Sequence, residues 1–278
     1  MRTIRRISIA TAAVAALALT PTVAVAGDRP ASPPRGHHQS DVRAVGLVDG
    51  TQLVTFSVSR PGDVRKTGTV RGLTGGDTEL VGIDARVQDR GVYGVGNAGG
   101  VYKLDVHSAR AEFVLRLTEE LDGTRFGVDF NPAANALRIV SDTGQNLRQP
   151  FATPGAATVA DTPLTTPPTA GTTTGVTAAG YTNNDLDEKT GTTLFVVNAD
   201  TGALAIQSPA NAGTLAATGN LGVDLGEDPA FDVRGTTGYL VVPAGERSTV
   251  YEVSLLTGQA TKKGHVKAAV GDLALRLS

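Results

Sequence analysis

Leu80-Val81-Gly82-Ile83-Asp84, Gly91-Val92-Tyr93-Gly94-Val95-Gly96 and Gly100-Val101-Tyr102-Lys103-Leu104-Asp105 follow one another with only short polar turns between them. Each is apolar, each is strand-length, and the first ends in Asp. The same order returns near the C-terminus as Ala230-Phe231-Asp232, Gly238-Tyr239-Leu240-Val241-Val242 and Thr249-Val250-Tyr251-Glu252-Val253-Ser254, before the turn Leu256-Thr257-Gly258. A unit of about 40–50 residues that carries about four short strands is the period of a β-propeller blade.

Outward from these units, five can be laid along the chain. The first holds Ala44–Val48, Gln52–Val58 and Lys66–Val70 and lacks an opening strand. The second runs from Glu79 to Leu117, the third opens with Phe126-Gly127-Val128-Asp129-Phe130, the fourth near Val176 and the fifth at Ala230. The chain then ends on Gly271-Asp272-Leu273-Ala274-Leu275-Arg276-Leu277, an opening strand with no unit after it. Its pairing with the first unit would remove two bare sheet edges at once. The expected fold is therefore all-β, a β-propeller of five blades of about four strands, closed by the C-terminal strand in the first blade. An open two-sheet sandwich explains the alternation but leaves the last strand without a role. Val114–Leu121 is the nearest approach to a helical run, but it has neither a cap nor a sustained 3.6-residue period, and reads equally well as an outer strand and a turn. The stretch from Thr153 to Thr174 contains Pro163, Pro167 and Pro168, and reads as an outer strand near Ala157–Val159 followed by a long surface loop.

The ends are of another kind. Arg2, Arg5 and Arg6 precede an apolar segment, Ile7–Leu19, and Ala24-Val25-Ala26 supplies small residues for cleavage. This is the pattern of a signal peptide over residues 1–26, and the segment is short for a membrane span. The residues around Arg5-Arg6 match twin-arginine export poorly, so the general secretory route is expected. Residues 27–40 (GDRPASPPRGHHQS) read as a flexible Pro-rich leader, and 41–278 as a single propeller domain. A secreted location, extracellular or in the cell envelope, follows.

Composition narrows the function. There is no Cys, which removes disulfides, thiolate nucleophiles and zinc–thiolate sites. The net charge is −2, and loss of the three signal arginines takes it to about −5, which argues against nucleic acid or an anionic membrane as a partner. No serine sits in a nucleophile elbow, and no HExxH motif is present. His107 falls in a turn and His265 in a polar outer strand, so neither suits a triad. Trp is absent and aromatics make up 4%, which disfavours sugar stacking.

Two constellations remain. Asp84, Asp129, Asp232 and Asp272 occupy equivalent places on opening strands, where the fourth unit has Gly180. Innermost in a propeller, they could hold Ca²⁺, the one cofactor the sequence suggests. They could equally accept backbone N–H groups and lock each blade, and this structural role is the one expected. The second constellation is a polar hairpin. Asn131, Arg138, Asp142, Gln145, Asn146 and Arg148 lie within it, and Asn183 and Asn184 follow the fourth opening strand. They are the candidate ligand-binding residues, with an arginine to clamp a carboxylate or phosphate. Turn formation explains Asp142, Asn183 and Asn184 as well.

Gly127-Val128-Asp129-Phe130-Asn131-Pro132, Ser141-Asp142-Thr143-Gly144-Gln145-Asn146-Leu147-Arg148 and Ala179-Gly180-Tyr181-Thr182-Asn183-Asn184 resemble the secreted bacterial family called domain of unknown function 4394. The agreement extends from about Val45 to the end. The resemblance implies a propeller-like fold and no established activity, cofactor or catalytic residue. Asp84-Ala85-Arg86-Val87-Gln88 departs from the family's more typical Asp-Phe-Arg-Pro at that corner. The reading is a secreted, monomeric, non-catalytic module that binds a small ligand or an envelope partner. The alternative is a calcium-dependent lactone or ester hydrolase using the channel carboxylates.

Overall fold

The structure is a computed structural model, and it describes residues 41–187, 189–226 and 228–277. The expected signal segment and leader lie outside the described residues. Twenty strands form five four-stranded antiparallel sheets. The first blade holds β1 (Arg43–Val48), β2 (Gln52–Ser57) and β3 (Arg65–Thr69), and the second β4 (Leu80–Arg86), β5 (Gly91–Gly96), β6 (Gly100–Asp105) and β7 (Arg110–Arg116). The third holds β8 (Phe126–Asn131), β9 (Ala136–Ser141), β10 (Asn146–Pro150) and β11 (Val159–Ala160). The fourth holds β12 (Val176–Tyr181), β13 (Leu194–Asn198), β14 (Ala203–Gln207) and β15 (Leu215–Asn220). The fifth holds β16 (Ala230–Arg234), β17 (Thr237–Ala244), β18 (Arg247–Ser254) and β19 (Ala260–Val266), and β20 (Val270–Leu275) ends the chain.

β20 lies beside β1 and completes the first sheet in the order β20-β1-β2-β3. Ala44 faces Leu275, Val45 faces Ala274, Gly46 faces Leu273 and Leu47 faces Asp272. The inner strands pack in a ring, β4 on β8, β8 on β12, β12 on β16, β16 on β20 and β20 on β4. This is the closed five-blade propeller that the unmatched terminal strand predicts. The Val114–Leu121 run resolves as the end of β7 and a turn, and the only regular helix among the described residues is a 3-10 turn at Ala210–Ala212.

Burial explains the composition of the strands. Inner and second strands are covered on both faces by neighbouring blades, so β8 and β9 are almost wholly buried, and Asp129, Arg138 and Ser141 are buried among their apolar residues. The outer β3 and β7 carry Arg, Lys and Glu and are largely exposed, which blunts their free edges. The described residues form five apolar clusters, one at each blade interface. One joins Val54 and Phe56 of the first blade to Tyr239 and Val250 of the fifth, and another joins Tyr93 and Val95 of the second to Phe130 and Ile139 of the third. Gly127 is required by this packing. A Cβ there would lie 2.6 Å from the carbonyl carbon of Ala178, because β8 and β12 approach backbone to backbone.

Candidate functional site

The innermost strands carry the acids. Asp272 on β20 accepts the N–H of Ile83 on β4 at 2.6 Å, and Asp84 on β4 accepts that of Phe130 on β8 at 2.7 Å. Asp129 on β8 accepts the N–H of Tyr181 on β12 at 3.0 Å, and Asp232 on β16 accepts that of Leu275 on β20 at 2.6 Å. Each carboxylate thus reaches forward to the inner strand of the next blade. The series breaks once, at Gly180 on β12. A Cβ there would lie 2.9 Å from Val233 Cγ2 and 3.2 Å from Val233 N, so no carboxylate fits. The Val233 N–H is met instead by the Oδ1 of Asp232. The expected structural role of these four residues, bonds to backbone N–H groups, is what the geometry displays, although the bonds run between blades rather than within a corner.

All four acids are buried. Burial is the main cause that pushes each carboxyl up, Asp84 to about 7 and the others well above the ordinary carboxylate range. Like charge adds to it, since Asp84, Asp232 and Asp272 all act on Asp129 in the same direction. The backbone N–H bonds oppose the shift.

One oxygen from each of Asp84, Asp129 and Asp232 lies within 4.8 Å of the others, so these three could grip a cation, and Asp272 stands outside that group. Calcium takes six to eight oxygens, about twice what these three offer singly. A metal-dependent hydrolase also needs an open coordination position for water and substrate. These carboxylates are buried and already engaged by main-chain donors, so the hydrolase alternative is not favoured.

The polar hairpin is a strut. Arg138 is buried and pairs with Asp161 at 2.8 Å, while donating to Asn146 Oδ1 and to Asn211 Oδ1, each at 2.7 Å. Arg148 grips Asp161 through Nε and Nη2, both at 3.1 Å. Asn146 donates to the carbonyls of Thr162 and Ala210, which lie beyond β11 and beyond β14. The third and fourth blades are joined by this network. Asp142 accepts from the N–H and hydroxyl of Thr124, and although burial would raise its carboxyl, these bonds and Arg125 hold it below the ordinary range. Gln145 bridges Glu120 and Asp122, and Asn131 caps the next turn through the N–H of Ala134. Asp161 and Asn211, the partners that organise the strut, escaped the sequence reading. A buried arginine implies an acid, but the acid lies across what reads as a surface loop.

Asn183 and Asn184 stand elsewhere. They line a cavity of about 520 Å³ where inner strands end, together with Val87 and Arg90 after β4, Arg234 at the end of β16 and Leu277 after β20. Asn183 donates to the carbonyl of Gly191, and Asn184 Oδ1 accepts the N–H of Gly235 at 3.0 Å. A second cavity of about 350 Å³ shares Asp185 and Leu186 with it and adds Gln88, Thr190 and Thr192. At the opposite face, where inner strands begin, Val81, Phe126, Asp228 and Asp272 line a cavity of about 370 Å³. Of the eight candidate ligand residues, two therefore reach the first cavity, and the other six are engaged in turns and struts. Arg90, Arg234 and Leu277 were missed. Their shared signal is position, at or within four residues of the end of an opening strand.

The model of the family described as "Domain of unknown function (DUF4394)" matches residues 52–274. The chain belongs to this family. The match reaches into all five blades of this DUF4394 protein, from β2 into β20, and leaves out β1. No curated protein matches the chain. Among solved structures, the chain is similar to one in a nidogen/laminin complex, at 12% identity and TM-score 0.49, covering 84% of this chain and 85% of that one. It is also similar to TolB from Acinetobacter baumannii, at 12% identity and TM-score 0.44, covering 84% and 66%. PorZ, a surface component of the type-IX secretion system of Porphyromonas gingivalis, is similar at 16% identity and TM-score 0.40, covering 82% and 28%.

Proposed function

We propose that this DUF4394 propeller is an exported, non-catalytic binding module of the cell envelope or exterior, and that its ligand or partner meets the face where the inner strands end. The observation that carries this reading is the cavity of about 520 Å³ into which loops of four blades project amide, guanidinium and apolar side chains. A concave site with a few convergent polar groups is the usual form of a ligand pocket, and its size suits a small molecule or a short segment of a partner. The carboxylates, the other chemically active groups, are engaged in holding blades together. Export is supported by Arg2, Arg5 and Arg6, the apolar run after them and Ala24-Val25-Ala26. No helix among the described residues is long and apolar enough to cross a membrane.

A fragment screen read by hydrogen exchange tests the binding reading. Ligands found in the screen should protect residues 183–187 and 234–235. Protection confined to the opposite mouth or the outer strands contradicts the assignment. Incubation with p-nitrophenyl acetate and a simple lactone in calcium should release product no faster than buffer alone, and saturable turnover would contradict the non-catalytic reading.

A further inference from the structure

Among the described residues, the cavity where the inner strands end holds a cation without a partner of its own, Arg90. Arg90 lines it and makes no hydrogen bond or ion pair with the described residues. Its backbone is held in the left-handed region, at φ 54°, in the turn between β4 and β5. Beside it, Asn184 has its carbonyl oxygen fixed by the N–H of Gly235, which leaves its two amide hydrogens for another acceptor. Arg234 adds positive charge, although it is engaged with the carbonyl of Arg276. One acid of the lining opposes them, Asp185, whose Oδ1 accepts the N–H of Asp187. Among the described residues the charge balance of the lining is therefore positive, and the donors available suit a planar anion. Val87, Leu186 and Leu277 supply the apolar part of the wall, beside Asn183 and Gly235. Leu186 is 62% exposed at the cavity wall, where its side chain is open to an apolar partner.

We propose that this cavity takes a small carboxylate with an apolar tail, its carboxylate on Arg90 and Asn184 and its tail against Leu186. The inference rests on the binding-module reading and adds the ligand class. A doubly charged phosphate group would suffer more from Asp185 than a single carboxylate does, since repulsion scales with charge.

The test uses N-acetyl-L-leucine and N-acetyl-L-leucinamide, which differ only at the carboxylate, titrated at low salt into the full chain and followed by NMR. The acid should bind at least about tenfold more tightly than the amide. Arg90→Gln should abolish that preference and leave the melting temperature unchanged. Asp185→Asn should tighten the acid and leave the amide as it was. Equal binding of acid and amide, with shifts at 183–187, would overturn the carboxylate assignment while leaving the binding face intact. Absence of binding by either up to about 10 mM, in protein that is folded by its spectrum, would also overturn it. The binding-module reading is then judged separately by the fragment screen.

Discussion

At the residue scale, the decisive fact is what each polar side chain is bonded to. Asp129 accepts the Tyr181 N–H and is buried. Asp129→Ala should cost about 1–3 kcal/mol, because the Tyr181 N–H is then buried without a partner. Asp129→Asn should cost less, since its amide oxygen can still accept. Equal chemical-denaturation midpoints for the wild type and the alanine variant would contradict the bond's role. The strut makes a parallel case. Arg138→Ala leaves Asp161 without its most buried partner and should cost about 3–5 kcal/mol. Arg148 is 29% exposed at its side chain, and Arg148→Ala should cost about 1 kcal/mol or less. Matching losses from the two variants would mean that Asp161 is held from the solvent side rather than from within. The acids at the axis were legible because Asp recurs after an apolar pair in four units. The strut was not legible, because Asp161 and Asn211 reach Arg138 from 23 and 73 residues away.

At the element scale, β20 is the clearest case of structure legible in sequence. An opening strand at the C-terminus and a unit without one at the N-terminus have a single economical solution, and Ala44 does face Leu275. Deletion of residues 270–278 would remove a buried strand and its ladder, expose β1, and strip β4 of the Asp272 bond to Ile83. The truncated chain should lose several kcal/mol or fail to fold. An unchanged melting temperature would contradict closure. The outer β11 was expected near Ala157–Val159 and lies at Val159–Ala160, paired to Leu147 and Arg148. A two-residue strand among prolines has no periodicity to mark its limits, so only its existence could be read. The cavity of Arg90 was invisible for a different reason. Its walls come from the ends of several elements, and no one stretch of sequence contains them.

At the scale of the whole molecule, the ring sets an unusual dependence on pH. Asp84 is raised by burial to about 7, and Asp129, Asp232 and Asp272 are raised well above their ordinary value. A carboxyl raised in the folded state binds its proton more tightly there than in the unfolded chain. Its contribution to stability is complete below the ordinary carboxylate value and is lost as pH rises through the folded one. Asp41, Asp89 and Asp142 are lowered, and their contribution is lost as pH falls. The melting temperature should therefore peak near the ordinary carboxylate value and fall as pH rises from about 4 to about 7, the folded value of Asp84. Asp84→Asn should flatten that fall. A melting temperature that climbs steadily through the same range would contradict the assignment.

Four inner-strand amides, those of Ile83, Phe130, Tyr181 and Leu275, are each held by a carboxylate of the preceding blade. Residue-resolved hydrogen exchange of the full chain, with and without a calcium chelator, tests this most directly. If the carboxylates latch the closed ring themselves, these four amides should exchange among the slowest in the protein, through global opening only, at the same rate in both conditions. Fast exchange at these amides would contradict the latch, and release of all four by the chelator would show that a cation, rather than the carboxylate bonds, holds the axis together.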